Sequence, residues 1–337
     1  MTSKSLQRLQ RVCAAALAAV CLASCGPQPG AEKTARPAQA KKVRLAGIVF
    51  QEDQFFRLVL FGMRDAAAKA GVELLEGNSN NKPEKEIELI NTYVARKVDA
   101  ILVSPLSRKG SVAALKQAHD KGVTIVTYNA PVEADFSASY IECIPADLGR
   151  KTGAAARQYI ERKLGGKARV AIVAFKSLVP EQSDARTGGF KGEMTKLPGV
   201  EIVAEQDAWL PEMAVKKVGD ILTANPDVNI VYAANEGGTI GAVLAVKNAG
   251  KAGQIAVFGT DSSEQLLDML QAPDNVLQAI TSQQPVKVGQ LAVEAALKSL
   301  RGEAVEKTTL LPGTLLSRAE PEGVKAFAAQ LKVWMGR

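Results

Sequence analysis

Six short stretches place polar, acidic or aromatic side chains directly behind apolar runs: Glu52-Asp53-Gln54-Phe55-Phe56, Ser104-Pro105, Tyr128-Asn129, Asn235-Glu236, Thr260-Asp261 and Gln283-Gln284-Pro285. In open α/β sheets the ligand crevice lies beyond the carboxyl ends of the strands, so residues that end strands are the first to weigh. Carboxylates and amides exchange hydrogen bonds with hydroxyl groups, and adjacent phenylalanines offer flat apolar surface. Asp53 and Asp261 facing each other would also make an acid and base pair, an enzyme reading with less support than simple binding.

Other chemistries are poorly provided for. The single histidine, His119, sits in the helical stretch Ser111 to Gly122 and reads as a solvated side chain, so neither a zinc site nor a Ser-His-Asp triad is expected. Neither G-x-G-x-x-G nor G-x-x-x-x-G-K-[ST] occurs, and Gly237-Gly238-x-x-Gly241 is too weak a phosphate signal; no cofactor and no metal are expected. The formal charge is +7, and without the leader cations Lys4, Arg8 and Arg11 it is +4. The other basic residues are scattered among acids, which argues against a nucleic-acid partner.

The elements that would position these residues alternate. Apolar, β-branched runs at 43–50, 72–77, 100–104, 123–128, 168–175, 200–205, 229–235, 255–261 and 276–282 are separated by helical stretches. Nearly continuous apolarity predicts strands covered on both faces, the mark of parallel sheets with crossover helices, an α/β fold. Pro83 and Pro211 fall at helix first turns, and Gly71, Gly122 and Gly250 where helices end. A chain of 337 residues, 47% of them hydrophobic, has room for about two domains.

Residues 1–24 read as a signal peptide: a basic start, an apolar run too short to span a bilayer, then small residues. Leu22-Ala23-Ser24-Cys25 resembles the bacterial lipobox, which would acylate Cys25 and anchor the chain to the membrane. Residues 25–42, rich in Pro, Gly, Ala and Lys, read as an extended tether. Cys143 is then the lone cysteine of the mature domain, which leaves it without an internal disulfide.

The order of the strand-end stretches, with Arg186-x-x-Gly189-Phe190 and Asn225-Pro226-Asp227, resembles the type I periplasmic sugar-binding proteins near the ribose-binding branch, across about residues 43 to 318. The resemblance implies two similar doubly wound parallel-sheet lobes joined by a three-segment hinge, with residues 43–145 and 284–314 in the first and 146–283 and 315–337 in the second. Phe55, Phe56 and Trp209 fall on the family's aromatic positions, and Asp53, Ser104, Asn129, Asp184, Asn235, Asp261 and Gln283 on its polar ones. Phe56 and Trp209 would be jaws from opposite lobes, with Phe55 lining the first.

A sugar fits that set of groups, since it joins hydroxyls to an apolar C–H face. Ala130 and Asp184 stand where relatives carry arginines, which implies a negative cleft and a neutral, or aminated, sugar or polyol. The implied partners are that ligand and an ABC transporter permease, with the protein a monomer on the periplasmic or extracellular face. A signalling receptor of the same fold remains an alternative, while repressors of this fold carry a helix-turn-helix where this chain has its lipobox and tether.

Bland readings accompany these. Asp53, Asn235 and Asp261 each precede a helix and suit capping, with Asp261-Ser262-Ser263-Glu264 spaced as a capping box. Phe55 suits a buried first turn, and Arg186 an ion pair within the fold.

Overall fold

Two sheets organise residues 42–336, the part of the chain that the computed structural model describes. The expected signal peptide, the expected lipidation at Cys25 and the expected tether, apart from residue 42, fall outside the described residues.

The first sheet is built from β1 (Arg44–Val49), β2 (Glu73–Asn78), β3 (Ala100–Val103), β4 (Thr124–Tyr128), β5 (Ser139–Cys143) and β11 (Thr308–Leu311), in the spatial order β11-β5-β4-β3-β1-β2. The second holds β6 (Lys167–Ala174), β7 (Gly199–Asp207), β8 (Ile230–Ala233), β9 (Ala256–Thr260), β10 (Leu277–Ser282) and β12 (Thr314–Ser317), ordered β12-β10-β9-β8-β6-β7. All pairings are parallel except β10 with β12. Nine strands coincide with the apolar runs of the sequence. The others, β5, β11 and β12, are short and more polar, so periodicity does not reveal them.

Each sheet separates two apolar layers, as the period of two along a strand requires. In the first lobe Leu45 and Val49 pack with Val59 and Met63 of α1 (Gln54–Ala70) and Val288 and Ala292 of α9 (Pro285–Leu300). Ala46 and Ile48 face the other way, onto Ile90 of α2 (Pro83–Ala95) and Leu115 of α3 (Val112–Asp120). The second lobe repeats the plan. Val173 and Val231 meet α6 (Pro211–Ala224), α7 (Glu236–Asn248) and α8 (Glu264–Gln271), while Ile172 and Tyr232 meet α4 (Pro145–Lys163) and α5 (Pro180–Met194). Such burial contributes about 1.5 to 3 kcal/mol for each large apolar side chain.

Close helix crossings fix these layers. A Cβ at Gly62 would lie 2.1 Å from the Val286 carbonyl oxygen, and one at Gly289 2.1 Å from that of Val59, so α1 and α9 touch backbone to backbone.

The chain passes between the sheets three times, after β5, after β10 and between β11 and β12. Side chains pin these passages. Asp147 Oδ2 accepts from Gly313 N at 2.9 Å, Lys151 Nζ donates to the Gly313 carbonyl at 2.6 Å, and Gln284 Nε2 donates to that of Pro312 at 2.8 Å. The Cys143 thiol is free and buried, and its pKa is pushed up to about 11 by that burial. The last helix, α10 (Pro321–Trp334), packs on α8 and β12.

Candidate functional site

The carboxyl ends of β1, β8, β9 and β10 carry the most tightly connected of the nominated residues. Asp261 follows β9 with φ 73°, a left-handed conformation that Asp tolerates better than most residues. Its Oδ2 accepts from Arg186 Nη1 at 3.3 Å and from the Glu236 amide at 3.1 Å, and its Oδ1 accepts from Gln283 Nε2 at 2.8 Å. Arg186 is 4% exposed, gives Nη1 also to the Ala234 carbonyl at 2.9 Å, and lies over the Phe175 ring at 5.1 Å. It is thus an ion-pair partner within the fold.

Asn235 caps α7, its Oδ1 accepting from Gly238 N at 3.2 Å while Nδ2 donates to the Trp209 carbonyl at 2.9 Å. This second bond ties the Trp209 backbone to the helix end. Trp209 is half-buried against the core layer that contains Tyr232 and Phe258. The capping box expected at Asp261 does not form; Ser263 caps α8 instead, which frees Asp261 for Arg186 and Gln283.

From the first lobe, Asp53 caps α1 through Oδ1, which accepts from Phe56 N at 2.9 Å, and Gln51 Nε2 holds its Oδ2. Burial raises its pKa above the usual carboxylate range; the Phe56 amide and Gln51 oppose this, and the Asp261 charge adds to it. Asp53 and Asp261, on different lobes, are therefore within electrostatic reach of each other. Phe56 is only 2% exposed and sits edge-on to Phe50 and Phe55, with ring centroids 4.5 and 5.1 Å away. Phe55 is the more accessible of the pair.

Ser104 and Asn129 form a separate group. Asn129, at φ 63°, donates from Nδ2 to Ser104 Oγ at 3.2 Å, and its carbonyl accepts from Gln182 Nε2 of the second lobe at 2.9 Å. Asp184 joins neither group. Its side chain is exposed and pairs with Lys176 at 3.1 Å.

Glu236 stands in one of the strand-end stretches but is not among the residues nominated for binding, and the structure draws it into this cluster. Its carboxyl is pushed up to about 7, first by burial, then by the charges of Asp261 and Asp53, against the pull of Ser263 and Arg57. An acid in the first turn of a helix ordinarily reads as a partner of the helix dipole, and that hides it. Three carboxyls from two lobes thus share the cleft with Arg57 and Arg186. Beside them lies a cavity of about 560 Å³ between the lobes, bounded by Asn129, Tyr140, Glu142, Leu178 and Gln182.

Residues 48–304 match the periplasmic binding protein domain family. The chain is 29% identical over 299 residues to the ABC transporter periplasmic-binding protein YphF of Escherichia coli (strain K12), covering 86% of this chain and 90% of that protein. It is 29% identical over 259 residues to the ribose import binding protein RbsB of Bacillus subtilis (strain 168), covering 77% and 81%. Among solved structures, an ABC transporter periplasmic solute binding protein of Actinobacillus succinogenes with bound D-allose superposes with a TM-score of 0.76 at 26% identity, covering 84% of this chain and all of that one. The two-lobe fold, the carboxylate and amide cluster at its strand ends and these similarities assign the chain to the periplasmic binding protein family, whose members serve transporters as substrate-binding proteins and are not enzymes.

Proposed function

We propose that this protein captures a neutral sugar or sugar-like polyol by closing its two lobes on it, and delivers it to an ABC transporter permease. The observation that carries this reading is Asp261, fixed by Arg186, Gln283 and the Glu236 amide at the end of β9. A carboxylate so oriented accepts hydroxyl hydrogens without first having to be ordered. Asp53 approaches from the first lobe, while Phe55 and Trp209 supply apolar faces and Ser104, Asn129, Asn235 and Gln283 the remaining polar contacts. The site proposed is this set with Phe56 behind Phe55; Asp184, paired with Lys176, acts at its rim.

Residues 43–145 with 284–314 move against 146–283 with 315–337 about the three passages between the sheets. Lipidated Cys25 holds the protein as a monomer on the outer face of a membrane, and residues 26–42 serve as the tether. With Asp53, Glu236 and Asp261 in the cleft and Arg186 already committed to Asp261, an acidic sugar would meet repulsion that a neutral one does not.

A thermal-shift screen of neutral, amino and acidic sugars tests the reading. A ligand at a hundred times its dissociation constant should stabilise the protein by about 2.7 kcal/mol. Tightest binding to a uronic acid or a sugar phosphate would refute the neutral-ligand assignment.

A further inference from the structure

The cavity beside the Asp261 cluster has walls from both lobes and its own polar groups. Pro105, Leu106 and Pro131 line it from the first lobe, and Leu178 to Gln182 from the second. Its volume of about 560 Å³ lies within the range of about 300 to 1,000 Å³ that holds small organic ligands. Tyr140 and Glu142, two apart on β5, lie on one face of the strand and both line the cavity. The Tyr140 hydroxyl is buried and interacts with the Glu142 carboxyl, so the two form one polar unit facing the cavity. A ligand hydroxyl placed between the Tyr140 hydroxyl and the Glu142 carboxyl would complete the hydrogen bonding of both.

Glu142 links this space to the cleft. Burial raises its pKa; Tyr140 opposes the shift, as do the charges of Arg186, which holds Asp261, and Arg108 at the mouth. Arg108 and Lys109 reach Glu133 only at 3.9 Å, too far for good hydrogen bonds, which leaves donors for another acceptor.

We infer that this cavity is a second compartment of the cleft, taking a further sugar ring joined to the one gripped at Asp261. Apolar planes from Leu106, Pro131 and Leu178 suit the C–H face of such a ring, while Tyr140, Glu142 and Gln182 suit its hydroxyls. A purely apolar substituent would leave those polar groups unpaired. The inference rests on the proposal that the cleft captures sugars.

Titration calorimetry of glucose, galactose and xylose against cellobiose, lactose and xylobiose separates the two ideas. At least one disaccharide should bind about tenfold or more tightly than its monosaccharide, the worth of one good hydrogen bond with its packing. Tyr140→Phe, which keeps the ring, and Glu142→Gln should each remove most of that advantage while monosaccharide affinity stays unchanged. Monosaccharide binding with no disaccharide advantage overturns the second compartment alone, as does an advantage that survives both substitutions. Absence of binding by every sugar in the panel overturns the sugar reading and this inference together.

Discussion

Arg186 Nη1 lies 3.3 Å from Asp261 Oδ2, joining the middle of α5 to the end of β9 across 75 residues of sequence. The arginine side chain is 5% exposed and the aspartate 17%, so the two charges depend on each other for solvation. Removing one partner of a buried pair is far more damaging than replacing both. Arg186→Ala should therefore lower stability by about 3 kcal/mol or more, read from urea unfolding without ligand. Asp261→Asn should lower affinity by about 1.5 to 3 kcal/mol and also lower stability, since it leaves the guanidinium uncompensated. Unchanged unfolding midpoints in both variants would contradict this pairing.

Glu236 gives a pH dependence of definite sign. Its folded pKa, about 7, lies above its unfolded value of 4.5. The folded state thus holds the proton more tightly, so this contribution is fully present below the unfolded value and is lost as pH rises through about 7. Asp53, raised in the same direction, adds to the loss. Wild type should be less stable at pH 8 than Glu236→Gln, by up to about 3 kcal/mol, with the gap shrinking toward pH 5. Denaturation curves at the two pH values measure it, and an equal gap at both would exclude Glu236 as the titrating group.

Gly237 supports the Trp209 loop from below. A Cβ there would meet the Trp209 carbonyl oxygen at 2.2 Å, the same oxygen that accepts from Asn235. Gly237→Ala should cost about 1 to 3 kcal/mol of stability and weaken ligand binding through displacement of Trp209. Gly219→Ala is the control, because nothing lies within 4 Å of a Cβ at that half-buried helical position. The idea fails if the two variants behave alike.

Both tryptophans should report the proposed lobe closure. Trp209, whose carbonyl Asn235 holds, belongs to the proposed site, while Trp334, at the end of α10 and edge-on to Phe327, lines a separate cavity with Leu60 and Phe61 of the other lobe. Trp334→Phe should retain a ligand-dependent emission change. Trp209→Ala should keep only a residual one and lose about 1 to 3 kcal/mol of affinity. A full response in Trp209→Ala would remove Trp209 from the site.

For the anchor, Cys25→Ser should abolish partitioning into the detergent phase, because neither acylation nor lipoprotein cleavage can follow. Wild-type partitioning of that variant would rule out Cys25 as the lipid site.

The amino-acid order alone determined the layered α/β plan. Continuous apolar runs can be satisfied only by strands covered on both faces, and Pro83, Pro211, Gly71 and Gly122 mark helix ends through local backbone preference. It also marked Asp53, Asn129, Asn235, Asp261 and Gln283, because they terminate those runs. Tertiary structure decided what each of them touches. Phe55 and Phe56 are indistinguishable as residue types, yet packing against Phe50 buries the second more than the first. Asp184 and Arg186 are two apart on α5, and the rotation of that helix sends one to Lys176 and the other to Asp261. Glu236 looks like an ordinary first-turn acid until Asp53 arrives from the other lobe. Local periodicity is a property of neighbours in sequence, whereas pairing, burial and charge coupling belong to neighbours in space, which here can lie more than two hundred residues apart, as Gly289 and Val59 do.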